Sequence, residues 1–232
     1  MLVGDDGLRK LSEARVAVVG TGGVGAYAAE MLVRAGVGHI AIIDSDEVGE
    51  SNINRQLIAL HSTVGRPKVD VLTERLADIN PAVTISPVKE FVSGGNIGDV
   101  LGGERIDFLV DAIDTLSPKL ALILHCLGHG IPFVSSRGCG AKMDVTAVKI
   151  ADISKTCECP LARMIRKKLG KMGIRKGVTC VFSTETPHEG CMQIEESRNK
   201  KSQVGTISYL PAVFGCACAQ AALEHILNAG QR

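Results

Sequence analysis

The stretch VAVVGTGGVGAYAAEMLVRAG, beginning at Val16, constrains the fold more than any other feature. A short β-branched run breaks at Gly20, and small and apolar residues then recur at helical spacing. The break itself, Gly20-Thr21-Gly22-Gly23-Val24-Gly25, matches G-x-G-x-x-G. Glycines there allow a tight turn and let backbone N–H groups approach an anion, which the positive end of the helix dipole also attracts. The next apolar run ends on Asp44, about 20 residues on, where such sites place the acid that takes a ribose hydroxyl. These features predict a nucleotide site without choosing between a nicotinamide dinucleotide and ATP.

Apolar runs continue to alternate with helical patterns. Strands are expected at Arg15–Gly20, His39–Asp44, Val83–Val88, Phe108–Ala112 and Pro132–Ser135, and helices at Gly23–Ala35, Pro67–Asn80, Asn96–Leu101 and Pro118–Gly130. Continuous Val/Ile/Leu strands imply burial on both faces. The fold class is therefore α/β, a Rossmann-like doubly wound, mainly parallel sheet with helices on both faces and a C-terminal extension. One domain is expected over residues 1–232, with a nucleotide-binding half at about 1–136 and a crossover half at about 137–232. Past Ser136 the alternation fails. A basic helix, a short strand near Val178–Phe182, a polar loop at Pro187–Gln203 that reads as a candidate for disorder, and a final apolar helix follow.

Formal charge is +1, so a nucleic-acid or membrane partner needs a local patch. Aromatic residues at 3% argue against base stacking as a main binding mode. The N-terminus has no signal-peptide pattern, and eight cysteines without one read as reduced thiols in a cytoplasmic protein. The apolar tract Ile207–Leu227 contains Pro211, Glu224 and His225, which favours a buried or dimer-packing helix over a membrane span.

The choice of nucleotide comes from SDEVGESNINRQLIALHSTVGRPKVDV. Asn52, Asn54, Arg55 and Gln56 follow the ribose-binding strand, and Lys68 opens the next helix. Arg55 and Lys68 can clamp a triphosphate opposite the glycine loop, as attack on an α-phosphate requires. Asp111 and Asp114 fall at the carboxyl end of the fourth strand, where open α/β sheets bind ligands. Asp114 is the candidate Mg²⁺ carboxylate, with a helix N-cap as its alternative, and Asp111 the brace of the turn. A dehydrogenase would leave Arg55, Lys68 and Asp114 without a purpose.

In this order and spacing, GxGGxG, a strand-end Asp, S-N-x-N-R-Q, G-x-x-K and D-A-x-D-T resemble the adenylating domain of ubiquitin-activating enzymes and of the molybdopterin and thiamine sulfur-carrier adenylyltransferases. That resemblance implies ATP·Mg²⁺, carboxyl adenylation, a homodimer, and a nucleotide site that includes Gly23, Asp44, Ser51, Asn52, Arg55, Lys68, Asp114 and Thr115. It also implies an arginine from an N-terminal segment that reaches the partner's ATP. Here Arg9 lies nearest, at what is an ordinary helix position in the family. DISKTCECPLARMIRKKLGKMGIRKGVTCVFSTE and GTISYLPAVFG resemble the branch that dehydrates threonylcarbamoyladenosine in tRNA. The implied reaction is ATP-dependent closure of the threonylcarbamoyl side chain to a cyclic hydantoin.

The same segment supplies a basic stripe, Arg163, Arg166, Lys167, Lys168, Lys171, Arg175 and Lys176, with no acid among them, as tRNA phosphate contacts require. A solvated helix face is the plainer reading of those charges. The alternative function is adenylation of the C-terminal Gly-Gly of a small sulfur-carrier protein, and a nucleotide-binding module without chemistry is the third. The carrier enzymes hold zinc with two C-x-x-C pairs. This chain has C-x-C pairs at Cys157/Cys159 and Cys216/Cys218, a spacing unsuited to zinc. Cys216 and Cys218 are expected as small buried hydrophobes on different sides of a helix. Cys157 and Cys159 are candidate nucleophiles near Lys155 and Arg163, with a plain helix start as the alternative. A sulfur- or electron-relay partner protein is left open.

Overall fold

The computed structural model describes residues 2–103, 105–193 and 203–229. Five parallel strands form its centre: β1 (Arg15–Val19), β2 (His39–Ile43), β3 (Thr84–Val88), β4 (Phe108–Asp111) and β5 (Phe133–Ser136). With β6 (Val148–Asp152) and β7 (Thr179–Ser183) they make a seven-stranded sheet of order β3-β2-β1-β4-β5-β7-β6, in which only β6 runs antiparallel. The doubly wound reading of the sequence is correct. Its order reverses at β1 and β4, which opens the crevice where such sheets bind ligands. The expected strands match β1 to β5 within a residue at most ends.

Helices α1 (Gly4–Glu13), α2 (Gly25–Arg34), α3 (Lys68–Ile79) and α7 (Leu210–Leu227) cover one face. Helices α4 (Ile97–Val100), α5 (Leu116–His129) and α6 (Pro160–Lys171) cover the other. Strand alternation divides the core accordingly: Val16, Val18, Ile40, Ile42, Val110, Val134 and Val181 face the first layer, and Ala17, Val19, Leu109, Phe133, Cys180 and Phe182 the second. The α5 start, two residues before the expected Pro118, places that proline in the first turn, where no intrahelical N–H is needed.

Strand β6 is absent from the sequence expectation. Lys149 is exposed and Asp152 stands at its end, so this edge strand lacks a continuous apolar run, and as an antiparallel neighbour it has no crossover helix to announce it. The expected strand near Val178–Phe182 is β7. Within the polar loop, β8 (Met192–Gln193) pairs with β9 (Gln203–Val204), and the expectation of disorder for residues 194–202 lies outside the described residues.

Helix α7 is long and apolar enough to cross a membrane by length and composition, yet it packs in the core. At Gly215 an added Cβ would lie 2.6 Å from the Val24 carbonyl oxygen and 2.7 Å from Tyr27 Cβ, so only glycine lets α7 approach α2 this closely. Lys10 on α1 donates to the Leu227 carbonyl at the α7 C-terminus (3.1 Å), where a cation suits the dipole. The expectation for Cys216 is corrected. Cys218 is buried, but Cys216, two residues earlier, turns to the opposite side and is exposed.

Candidate active site

The glycine turn leaves β1 and enters α2. Gly20 has φ 91°, and its missing Cβ would lie 2.9 Å from the Ala112 carbonyl oxygen at the end of β4. A Cβ at Gly25 would lie 1.7 Å from the Gly20 carbonyl oxygen, which no side chain can satisfy. Gly23 is held close by Pro211 of α7 and the Arg55 carbonyl oxygen. The turn is thus compressed from three sides, and its backbone is the open surface.

Asp44 lies one residue beyond β2. Its Oδ2 accepts from the Thr21 backbone N–H (2.6 Å) and hydroxyl (3.0 Å), and its Oδ1 from the Asp46 N–H (2.9 Å). The carboxylate is fixed against the glycine loop and retains acceptor capacity for a ribose hydroxyl. Gln56 is buried, with its Nε2 3.7 Å from where a Gly22 Cβ would sit. Its Oε1 has no partner among the described residues. A turn that needs glycine at Gly20 and Gly25, with an orphaned buried acceptor beside it, fits a bound nucleotide.

The loop after β2 turns through a 3₁₀ segment at Glu50–Asn52. Asn52 Oδ1 accepts from the Gly49 N–H (3.1 Å), and Arg55 Nη1 donates to the Ser51 carbonyl (2.7 Å) and to Asn54 Oδ1 (2.8 Å). Asn54 Nδ2 also donates to the Thr206 carbonyl (3.0 Å), which ties this loop to the segment ahead of α7. Lys68, at the start of α3, is buried and ion-paired to Asp46 at 3.0 Å. It therefore stands as a held cation and not as a free surface lysine.

Asp114 is exposed beyond β4, ahead of α5, whose N-cap position is held by Thr115. Thr115 makes no side-chain cap hydrogen bond there. Cys139 joins the set. Burial pushes its thiol up to about 11, and the Arg55 guanidinium draws it partly back. Asp111 is a buried brace, paired with Lys119 at 2.9 Å and accepting from the Ser135 hydroxyl and the Ile113 N–H (3.1 Å). Burial pushes the Lys119 pKa down while Asp111 pulls it back up. Lys119 and the equally buried Arg137, which donates to Cys180 Sγ (2.8 Å from Nη2), were not legible in sequence.

Helix α6 carries Arg163, Lys167 and Lys171 on successive turns, with Lys168 beside them, all exposed, and Arg175 and Lys176 follow, also exposed. Arg166 departs from the stripe, because its guanidinium donates to the Thr156 carbonyl and hydroxyl. Cys159 is the buried α6 N-cap, its Sγ accepting from the Ala162 N–H (3.4 Å), so the helix-start reading describes it and the nucleophile reading does not. Cys157 is half-buried. Among the described residues no three His, Cys, Asp or Glu side chains converge as a metal cluster. Arg9 pairs with Asp6 (2.7 Å) and Glu13 (3.3 Å) on the surface of α1.

A Rossmann-like sheet with a glycine turn after β1, an acid just past β2, cations in and after the following loop and a carboxylate past β4 has the layout of a nucleotide-binding α/β protein. A model of the ThiF family matches residues 1–232, and the chain belongs to that family. It is 46% identical over 187 residues to tRNA threonylcarbamoyladenosine dehydratase of Bacillus subtilis, covering 81% of this chain and 73% of the relative. With the Escherichia coli enzyme of the same name it shares 40% identity over 191 residues, 79% of this chain and 71% of that one. The crystal structure of the E. coli dehydratase in complex with ATP superimposes with a TM-score of 0.91 at 35% identity, over 100% of this chain and 93% of that chain.

Proposed function

We infer that this chain is an ATP-dependent tRNA threonylcarbamoyladenosine dehydratase. The observation that carries the reading is that the glycine cradle with Asp44, Gln56 and Arg55 lies in a fold matching an ATP-bound dehydratase over the whole chain. Asp44 takes a ribose hydroxyl, and the N–H groups of Gly22 to Gly25, beyond those of Gly20 and Thr21 that bond the Ile43 carbonyl and Asp44, face the phosphates. Arg55 leaves its local acceptors to meet the α-phosphate, and Lys68, released from Asp46, meets the outer phosphates. Both neutralise charge as the threonine carboxylate oxygen attacks phosphorus and pyrophosphate departs. A urea nitrogen of the same side chain then attacks the activated carbonyl. It loses its proton as AMP leaves with one former carboxylate oxygen, and a five-membered hydantoin closes. Nucleophile and activated carbonyl belong to one side chain, so the step is intramolecular and no enzyme nucleophile is required.

Asp114 is the residue to hold Mg²⁺, which would screen the phosphates for attack. Ser51, Asn52 and Thr115 complete the nucleotide pocket as loop and helix-start supports. Arg163, Lys167, Lys168, Lys171, Arg175 and Lys176 bind tRNA phosphates. The chain works as a homodimer in the cytoplasm. A partly exposed apolar strip of Val145, Val213 and Cys216, beside the β6 edge, supports the dimer, and eight free cysteines support a reducing compartment.

The test incubates protein with ATP·Mg²⁺ and tRNA bearing threonylcarbamoyladenosine, then weighs the digested nucleosides. Loss of one water from the modified nucleoside, abolished in Asp114→Ala, is expected. An unchanged mass with ATP bound overturns the reading. Adenylation of a carrier protein's terminal glycine would then support the alternative.

A further inference from the structure

Lys119 is fully buried on α5, facing the end of β4. An ammonium has three N–H bonds, and three acceptors lie within reach: Asp111 Oδ2 at 2.9 Å, the Ile113 carbonyl at 2.7 Å and the Asp111 carbonyl at 3.4 Å. All belong to the short segment 111–113. Asp111 grips the same turn from the other side through the Ile113 N–H. Asp114 is the next residue along the chain. A buried ion pair is a poor way to gain stability, since a packed apolar pair in its place is often neutral or stabilising. What an apolar pair cannot do is fix the direction of two carbonyls.

We propose that Lys119 is a positioning residue, whose ammonium holds the 111–113 turn so that the Asp114 carboxylate meets the metal-bound phosphates. The proposal rests on the reading of Asp114 given above. The ribose-side carboxylate, Asp44, is held by Thr21 and the Asp46 N–H and not by the 111–113 turn. The Ala112 N–H is bonded independently to the Val19 carbonyl (2.8 Å), and this keeps the Gly20 contact in place.

The test measures equilibrium binding of AMP, and of ATP with and without Mg²⁺, on the full chain. The variants are Asp114→Ala, the charge-free pair Lys119→Met/Asp111→Asn, and both combined. The pair removes both charges together, so neither Asp111 nor Lys119 is left buried without its partner. AMP affinity is expected to stay within about three-fold while the Mg²⁺-dependent gain in ATP affinity falls about ten-fold, and the pair adds under about two-fold once Asp114 is gone, because the two act as one unit. A parent-like Mg²⁺ gain in the charge-free pair overturns the proposal. If Asp114→Ala itself keeps the gain, the Asp114 reading fails instead. Should the pair not fold, Ser135→Ala leaves every charge in place and frees only the Asp111 carboxylate. It is then expected to lower the Mg²⁺ gain about two-fold, and an unchanged gain overturns the proposal.

Discussion

The two faces of the sheet solve different problems. Toward α1, α2, α3 and α7 the core is almost wholly apolar across the middle of the sheet, and the buried carboxylate of Glu30 lies between helices, where α2's Arg34 and α3's Arg75 meet it. Toward α4, α5 and α6 the same strands end in a buried polar set of Asp111, Lys119, Ser135, Arg137 and Cys180. The first face is a rigid backing that lets the glycine turn be compressed between α7 and β4. The second places charge beneath the loop that carries Asp114. Packing complementarity sets the one, and pairwise satisfaction the other, so damage to them should be repairable in different ways.

The largest effect separates them most sharply. Phe214→Ala, on the apolar face, should cost about 3–5 kcal/mol in urea unfolding, because a cavity is left that no single neighbour fills. Lys119→Met should cost a similar ~3–5 kcal/mol by leaving Asp111 buried and unpaired. Adding Asp111→Asn should recover most of the second loss and none of the first. Equal recovery in both backgrounds would erase the distinction.

Arg55 stands over the apolar layer, its carbonyl against Gly23. Arg55→Ala should lower turnover about 10²-fold by removing transition-state charge stabilisation while AMP affinity is little changed. A matching loss of AMP affinity would show that Arg55 only shapes the cradle. On the outer side of the polar layer, Lys167→Ala/Lys168→Ala/Lys171→Ala should weaken tRNA binding and flatten its salt dependence by about three phosphate contacts. An unchanged salt slope would return α6 to a plain solvated face.

The smallest effect concerns pH at Glu30. Burial pushes the Glu30 carboxyl up, but hydrogen bonds from Arg75 and Arg34 outweigh this and hold it below its ordinary value. Its contribution to stability is therefore full above the unfolded value of about 4.3 and is lost as pH falls through the lowered folded value. Glu30→Gln should be less stable than the parent at neutral pH, with the difference shrinking below about pH 4. A constant difference across that range would contradict the assignment.

The apolar face was legible in the sequence because its signals are local. β-branched runs mark β1, β2 and β4, helical spacing marks α2 and α3, and the glycines of the turn announce a backbone no side chain could share. Asp44 and Asp114 could be singled out because each stands shortly past such a strand, Lys68 because it opens α3, and Arg55 because it lies in the polar loop between β2 and α3. The polar layer was not. Lys119 sits in a helix whose inward positions are otherwise apolar, and Arg137 and Cys180 meet only through the pairing of β5 with β7. Nothing local says that such a lysine turns inward, because its three acceptors come from another segment of chain. Strand β6 failed for the same reason, and Cys216 because exposure on a nearly all-apolar helix depends on what packs beside it.

The most direct measurement of the central claim follows an oxygen atom. tRNA whose threonylcarbamoyl carboxylate is labelled with heavy oxygen is incubated with the protein and ATP·Mg²⁺, and the nucleotide products are weighed. Attack of that carboxylate on the α-phosphate predicts AMP carrying one heavy oxygen, in step with formation of the cyclic nucleoside. Unlabelled AMP, or ADP in place of AMP, would contradict adenylation at this site.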